Sequence, residues 1–240
     1  MDIGAWDWIS ADLADALYPP DLPEEWRVGL YSGSFRCVAL PAELWRAAGA
    51  EGWATWLDEV PENFGFYLEQ GNATAEELTQ VAQALGPLLH GVLLTAESSE
   101  SSGVVDATES DALAELPDTS KLWPAALSDN NPLAQVGARV WLPRTFSAPA
   151  VIPSAEFQYE IVDNAQSLPH SGAVGLQGYA CLGLCRLPVL DGQIEWTPLR
   201  LRQMLEAATA QRVCAMVVTP GRESLAVMRQ LETLSGLMGV

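Results

Sequence analysis

The chain has 240 residues, 49% of them hydrophobic, which is enough to bury a substantial core. Its 12 basic and 31 acidic residues leave a net charge of −19, which argues against binding to nucleic acid or to an anionic membrane surface, because both need clustered Lys and Arg. No apolar run reaches the roughly 20 residues of a membrane helix, so we expect a cytoplasmic protein without membrane association whose partner is a small molecule or another protein.

The acidic residues are unevenly distributed along the chain. Residues 47–120 contain no Lys or Arg and 14 Asp or Glu. Such a surface attracts cations or a basic partner, and it is equally typical of a solvated face that keeps a protein soluble. Neither a particular cofactor nor an oligomeric state is indicated.

The cysteines and histidines do not have the spacing of a metal site. No two cysteines form a Cys-x-x-Cys pair, so we predict no metal centre and expect free thiols in a reducing compartment. The residues concerned are Cys37, Cys181, Cys185, Cys214, His90 and His170.

Local patterns in the first 95 residues predict alternating strands and helices. Ser10 is a candidate N-cap for a helix that ends near residue 17, and Thr74 with Glu77 forms a candidate capping box for a helix that ends at Gly86. Tryptophans at helical spacing predict a further helix at 50–59. The predicted strands are 2–6, 35–40, 64–68 and 88–95.

The rest of the chain is less regular until its end. Residues 97–132 are acidic and loop-rich, and strand-like runs follow at 138–142, 157–162 and 173–176. Thr197-Pro198 predicts a helix start, residues 213–218 predict a buried strand, and Thr219-Pro220-Gly221 predicts the start of a last helix. About eight strands in 240 residues favour an α/β fold, with one (β/α)8 TIM-barrel-like domain over 1–240 that is irregular in its middle third.

The first third of the chain also resembles a known family, the domain-of-unknown-function 72 family. The resemblance covers about residues 2–70, with a weaker match from the strand at 213–218 into the closing helix. It implies a TIM-barrel-like fold, while the activity of the family is not established. The motifs that carry it are Ile3-Gly4 with Trp8, Tyr18-Pro19-x-x-Leu22-Pro23 with Glu25-Trp26, Phe35, Trp56, and Pro61-Glu62-x-Phe64-x-Phe66.

Several polar residues typical of that family are replaced in this chain. Residues 38–41 read Val-Ala-Leu-Pro instead of Val-Glu-Ile-Asn, and Glu69 stands where a lysine is usual. Residues 174–178 read Val-Gly-Leu-Gln-Gly in place of Val-Arg-Leu-His-Gly, and Thr219-Pro220 replaces a pair of asparagines. The resemblance therefore implies that the family's polar site has been lost and that the protein acts by binding or assembly.

An alternative is an enzyme with a remodelled acidic pocket for a cationic or metal-bound small molecule. Side chains just past parallel strands meet at one rim of a barrel, where carboxylates bind cations or share a proton. Acids are frequent throughout this half of the chain, so chance placement explains the pattern equally well. The candidate pocket residues are Asp7, Trp8, Glu43, Glu69 and Glu97.

A second candidate site has the opposite charge preference. Glycine-containing loops and helix N-termini hold phosphate in many barrels, and an arginine beside them adds charge-assisted hydrogen bonds. A simple helix start at Pro220 accounts for the same residues. The candidate anion-binding residues are Gln177, Gly178, Thr219, Gly221 and Arg222.

Overall fold

The computed structural model describes residues 1–93, 140–144, 157–162, 183–187, 195–210 and 213–240. In these ranges the strands are β1 (Asp2–Trp6), β2 (Cys37–Leu40), β3 (Gly65–Glu69), β4 (Leu89–Leu93), β5 (Val140–Arg144), β6 (Phe157–Val162), β7 (Gly183–Leu187) and β8 (Val213–Val218). The helices are α1 (Ala11–Leu17), α2 (Glu24–Ser32), α3 (Ala42–Glu59), α4 (Ala75–Leu85), α5 (Pro198–Ala210) and α6 (Ser224–Met238), and a 3-10 turn covers Gly86–Leu88.

The strands form one curled, largely parallel sheet, so the predicted α/β class is confirmed. They pair in chain order, and β8 returns to β1 to close the sheet. The strand β6 runs antiparallel to both β5 and β7, whereas every other neighbouring pair among the described strands is parallel. A complete (β/α)8 barrel is therefore not confirmed. The single-domain organisation stays a prediction, and the acidic segment 97–132 lies outside the described residues.

Alternation along the strands separates two apolar layers. Successive side chains of a strand point to opposite faces, so one set fills the barrel interior and the other packs against the helices. The interior layer contains Trp6, Cys37, Ala39, Tyr67, Leu93, Leu184, Ala215 and Val217. The outer layer is larger and includes Trp8, Tyr31, Phe66, Leu68, Val81 and Met228. Glu69 and Arg186 lie on the interior face at the carboxyl ends of β3 and β7, which places them at the mouth of the barrel.

Elements with strong local signals form as predicted. The capping box of α4 is complete: Glu77 N–H donates to Thr74 Oγ1 at 3.2 Å, and Thr74 N–H donates to Glu77 Oε2 at 2.8 Å. The helix α5 begins at Pro198 with a bond from Arg200 N–H to Thr197 Oγ1, and β8 has the predicted bounds.

Several predicted features differ from the structure. Ser10 precedes α1, but its side chain makes no capping hydrogen bond. The last helix begins at Ser224 instead of Thr219-Pro220, because Ser224 N–H and Oγ both bond Gly221 O and thereby hold residues 219–223 in a turn. The helix α3 starts at Ala42, eight residues before the predicted start, and Gly49 interrupts it with φ 58°. The prediction of a free thiol at Cys214 is wrong, since this cysteine is disulfide-bonded. Cys37 and Cys185 are buried free thiols.

Candidate functional site

A cleft of about 710 Å³ opens on the outside of the sheet, beside the carboxyl ends of β1 and β2. Its volume lies within the roughly 300–1,000 Å³ that is usual for small-molecule sites. Loops after the two strands form one wall, and α2 and α3 form the others. The lining residues are Asp7, Trp8, Ile9, Glu24, Glu25, Arg27, Val28, Pro41, Glu43, Leu44, Ala47, Ala48, Gly52, Thr55 and Trp56. Three of the predicted pocket residues, Asp7, Trp8 and Glu43, therefore share one cavity.

Asp7 is held at the end of β1 by backbone hydrogen bonds. Its N–H continues the strand ladder to Ala39 O at 2.8 Å, and its Oδ1 accepts from Ile9 N–H at 2.9 Å. Its φ of 73° is left-handed, a conformation that a short polar side chain such as Asp tolerates. Burial raises the pKa of Asp7, and the backbone N–H groups of Ile9 and Ser10 oppose that rise. The result is a half-buried carboxylate in a fixed position.

The floor of the cleft is aromatic. Trp8 is 3% exposed and meets the half-buried Trp56 edge-to-face at 5.2 Å between ring centroids. Phe66 of β3 supports both rings from below, since it stacks on Trp56 at 6.0 Å. Tyr18 fixes the backbone of Trp8 by donating its hydroxyl to Trp8 O at 2.9 Å. These contacts provide an apolar surface directly beside the Asp7 carboxylate.

The rim of the cleft is predominantly acidic. Four lining carboxylates and one guanidinium leave a formal charge of −3. Arg27, the guanidinium, lies 3.8 Å from Glu24 and 5.6 Å from the centroid of the Tyr18 ring. Its Nε is buried without a hydrogen-bond partner. The cleft therefore suits a ligand that is mainly cationic and has an apolar part.

Glu69 does not line this cleft. It is the last residue of β3, with its side chain on the same strand face as the interior Tyr67, and its carbonyl accepts from Trp45 Nε1 of α3 at 2.9 Å. Burial raises the pKa of the Glu69 carboxyl, while the positive charge of Arg186 and the N–H of Ala42 at the start of α3 oppose that rise, and Glu43 reinforces it. The predicted acidic pocket is thus divided between two places.

Arg186 is a site residue that the sequence did not reveal. It lies on β7, on the same face as Leu184, and its guanidinium carbon is 3.9 Å from the centroid of the Trp6 ring in the barrel interior. A signal was present: residues 185–187 read Cys-Arg-Leu, which resembles the Val-Arg-Leu order assigned to residues 174–176. The barrel mouth therefore has an arginine on β7, while the replacement predicted at residues 174–176 lies outside the described residues.

The second predicted site is only partly described. Gln177 and Gly178 lie outside the described residues, as does Glu97 of the acidic set. Thr219 donates its N–H to Leu187 O at 2.9 Å, Gly221 is buried in the turn before α6, and Arg222 is exposed. The residues of this turn precede the helix, so the expected phosphate-binding helix start at Thr219 and Gly221 is not formed.

The described ranges contain neither a cluster of metal ligands nor a membrane-crossing helix. No group of three or more His, Cys, Asp or Glu side chains in them is arranged to hold a metal ion. No helix within them is long and apolar enough to cross a membrane. His90 lies on β4, with its ring edge-on to Tyr67 at 5.7 Å.

Comparison with known proteins relates the first part of the chain to a family. Residues 2–94 match the family model described as protein of unknown function DUF72. No curated protein shows a significant match. A DUF72 family protein of Thermotoga maritima has a similar fold, with a TM-score of 0.52, 12% identity and 98% of each chain covered. One of Enterococcus faecalis has a TM-score of 0.46 and 14% identity, over 98% of this chain and 95% of the other. The chain therefore resembles the DUF72 family, in sequence over residues 2–94 and in fold along most of its length.

Proposed function

We propose that the protein binds a small organic cation in the cleft between α2 and α3. The observation that carries this proposal is the half-buried, backbone-anchored carboxylate of Asp7 beside the Trp8 and Trp56 rings. An ammonium group next to Asp7 offsets the cost of a partly buried charge, and an apolar or aromatic part of the ligand contacts the half-buried Trp56 ring. The acidic rim then favours cations over neutral molecules of the same shape.

Recognition fits this arrangement better than a reaction does. The Asp7 carboxylate accepts hydrogen bonds from backbone groups, which fixes its position and its orientation. A fixed charge on a rigid strand end discriminates between ligands without having to move a proton. The proposal keeps the expectation that the chain acts by binding, while loss of the family's polar site stays a prediction.

A thermal-shift panel tests the proposal. Aromatic and aliphatic amines are compared with alcohols of the same carbon skeleton, which keep the shape and lose the charge. We expect amines to raise the melting temperature of the wild-type protein and the alcohols to have little effect, because binding to the folded state stabilises it. Asp7→Asn should abolish the shift, and Glu43→Gln should reduce it.

Two matched substitutions serve as controls. Asp15→Asn and Glu51→Gln remove exposed carboxylates that do not line the cleft, on α1 and α3, and should leave the amine-dependent shift unchanged. If the alcohols stabilise as much as the amines do, or if Asp7→Asn retains the shift, the cleft is not a cation site.

A further inference from the structure

Arg186 is a charged side chain that the proposed cation site does not use. It projects into the barrel interior from β7, and its guanidinium covers the ring of Trp6 at 3.9 Å from the ring centroid. Stacking of this kind occupies a face of the guanidinium and leaves its N–H groups, which lie in the plane, directed sideways.

Those N–H groups lack acceptors in the described part of the chain. Nε of Arg186 is buried and has no hydrogen-bond partner. No ion pair among the described residues includes Arg186, although Glu69 is near enough for the arginine to lower its pKa. A buried donor without an acceptor is costly, and more so when it carries charge, so an acceptor placed beside Arg186 would stabilise it.

We propose that Arg186, stacked on Trp6, binds the oxyanion of a small molecule at the mouth of the barrel. The two terminal nitrogens of a guanidinium form a fork that matches two oxygens of a carboxylate or a phosphate. Arg186 and Glu69 are both partly exposed, so the group is reachable from solvent. The nearby Glu69 carboxyl favours a ligand of low charge, and a carboxylate therefore suits the mouth better than a doubly charged phosphate.

The overall charge of the protein makes this proposal easy to test. With a net charge of −19, general attraction of anions is not expected, so a saturable anion effect requires a local site. Potassium acetate and potassium phosphate are titrated separately against potassium chloride at equal ionic strength, with thermal stability as the readout. We expect acetate or phosphate to raise the melting temperature saturably, and their relative affinities identify the preferred oxyanion.

Substitutions locate the effect. Arg186→Gln should weaken binding by roughly tenfold or more, since a charge-assisted pair is lost. Arg186→Lys retains the charge without the fork, should also weaken binding, and covers the case in which the glutamine variant does not fold. Arg202→Gln, which removes an exposed arginine of α5 paired with Glu206, is the matched control and should bind as the wild type does.

Two results would overturn the proposal. One is that neither anion stabilises the wild-type protein beyond potassium chloride. The other is that the Arg186 variants respond as strongly as Arg202→Gln. The cation cleft is tested independently, because Asp7→Asn should lose amine binding and keep the anion effect.

Discussion

Among single residues, Tyr31 joins the first two strands through its hydroxyl. It accepts from Ala5 N–H of β1 and donates to Cys37 O of β2 at 2.8 Å, and the side chain is completely buried. Burial raises the pKa of Tyr31 well above its ordinary value, which keeps the hydroxyl protonated and able to donate. The side chain also packs against Trp8, so it supports the floor of the cleft from the core.

We expect Tyr31→Phe to lower the free energy of unfolding by about 1–3 kcal/mol, because two buried backbone groups lose their partner. Urea denaturation measures the change. Tyr18→Phe removes a single hydrogen bond, to Trp8 O, and should cost less. If Tyr31→Phe and Tyr18→Phe are equally stable, the two hydrogen bonds of Tyr31 between the strands add no more stability than the single bond of Tyr18.

Asp7 should make the stability of the protein depend on pH. The pKa of Asp7 is raised above the ordinary 3.8. Its stabilising contribution to the free energy of unfolding is therefore fully present below pH 3.8 and is lost as pH rises through the raised pKa. Asp7→Asn tolerates the positive φ and removes the titration. We therefore expect the unfolding free energy of the variant, relative to the wild type, to increase between acidic and neutral pH.

Urea titrations of both proteins at several pH values measure that difference, with Asp15→Asn as the control. If the difference in unfolding free energy between Asp7→Asn and the wild type does not change across the acidic range, the pKa of Asp7 is not raised by folding.

Some candidate site residues are predictable from the sequence and others are not, for a physical reason. Asp7 and Glu43 follow strands whose local patterns are clear, so their place at one edge could be predicted. Arg186 lies on β7, for which no strand was predicted, and its role depends on contact with Trp6 from the other end of the chain. Glu69 was predicted to line the same pocket because the sequence indicates that it ends a strand. The sequence does not indicate on which face of the sheet its side chain lies.

At the scale of elements, α4 has the best-defined start. Thr74→Ala removes the hydroxyl that accepts Glu77 N–H, and we expect it to lower the unfolding free energy by about 1 kcal/mol. Thr233→Ala is the matched control, because Thr233 is equally exposed and lies inside α6, where its hydroxyl bonds only Arg229 O. Chemical denaturation in which both variants lose the same stability would argue against the cap.

The helices that sequence reasoning missed lack such local signals. The residues before α2 and α3 are Pro23 and Pro41, and neither offers a side-chain cap. Gly49 separates the two parts of α3, so only its tryptophan-rich second part was recognisable. Packing against the sheet rather than local preference stabilises these elements, and a single sequence does not reveal that packing.

At the scale of the whole molecule, local patterns predicted the α/β class but not every strand direction. Residues 157–162 were recognised as a strand with the observed bounds. Its antiparallel direction was not recognisable, because alternation of side chains along a strand is the same in either direction. Parallel order was predictable for β1 to β4, where a helix lies between successive strands.

The net charge of −19 should make the protein more stable in salt, since self-repulsion weakens when charges are screened. We expect the melting temperature to rise as NaCl is added up to about 0.5 M. The same rise in Arg186→Gln would show that screening, rather than an anion at the barrel mouth, causes it. A melting temperature that falls with salt would mean that attractive ion pairs dominate.

We propose that Asp7 recognises a cationic group in the cleft. The most direct measurement is calorimetric titration of the most stabilising amine of the panel into wild-type protein and Asp7→Asn at low salt. We predict that the variant binds at least about tenfold more weakly, because a charge-assisted interaction is lost, and that Asp15→Asn binds as the wild type does. Equal dissociation constants for wild-type protein and Asp7→Asn would contradict the claim.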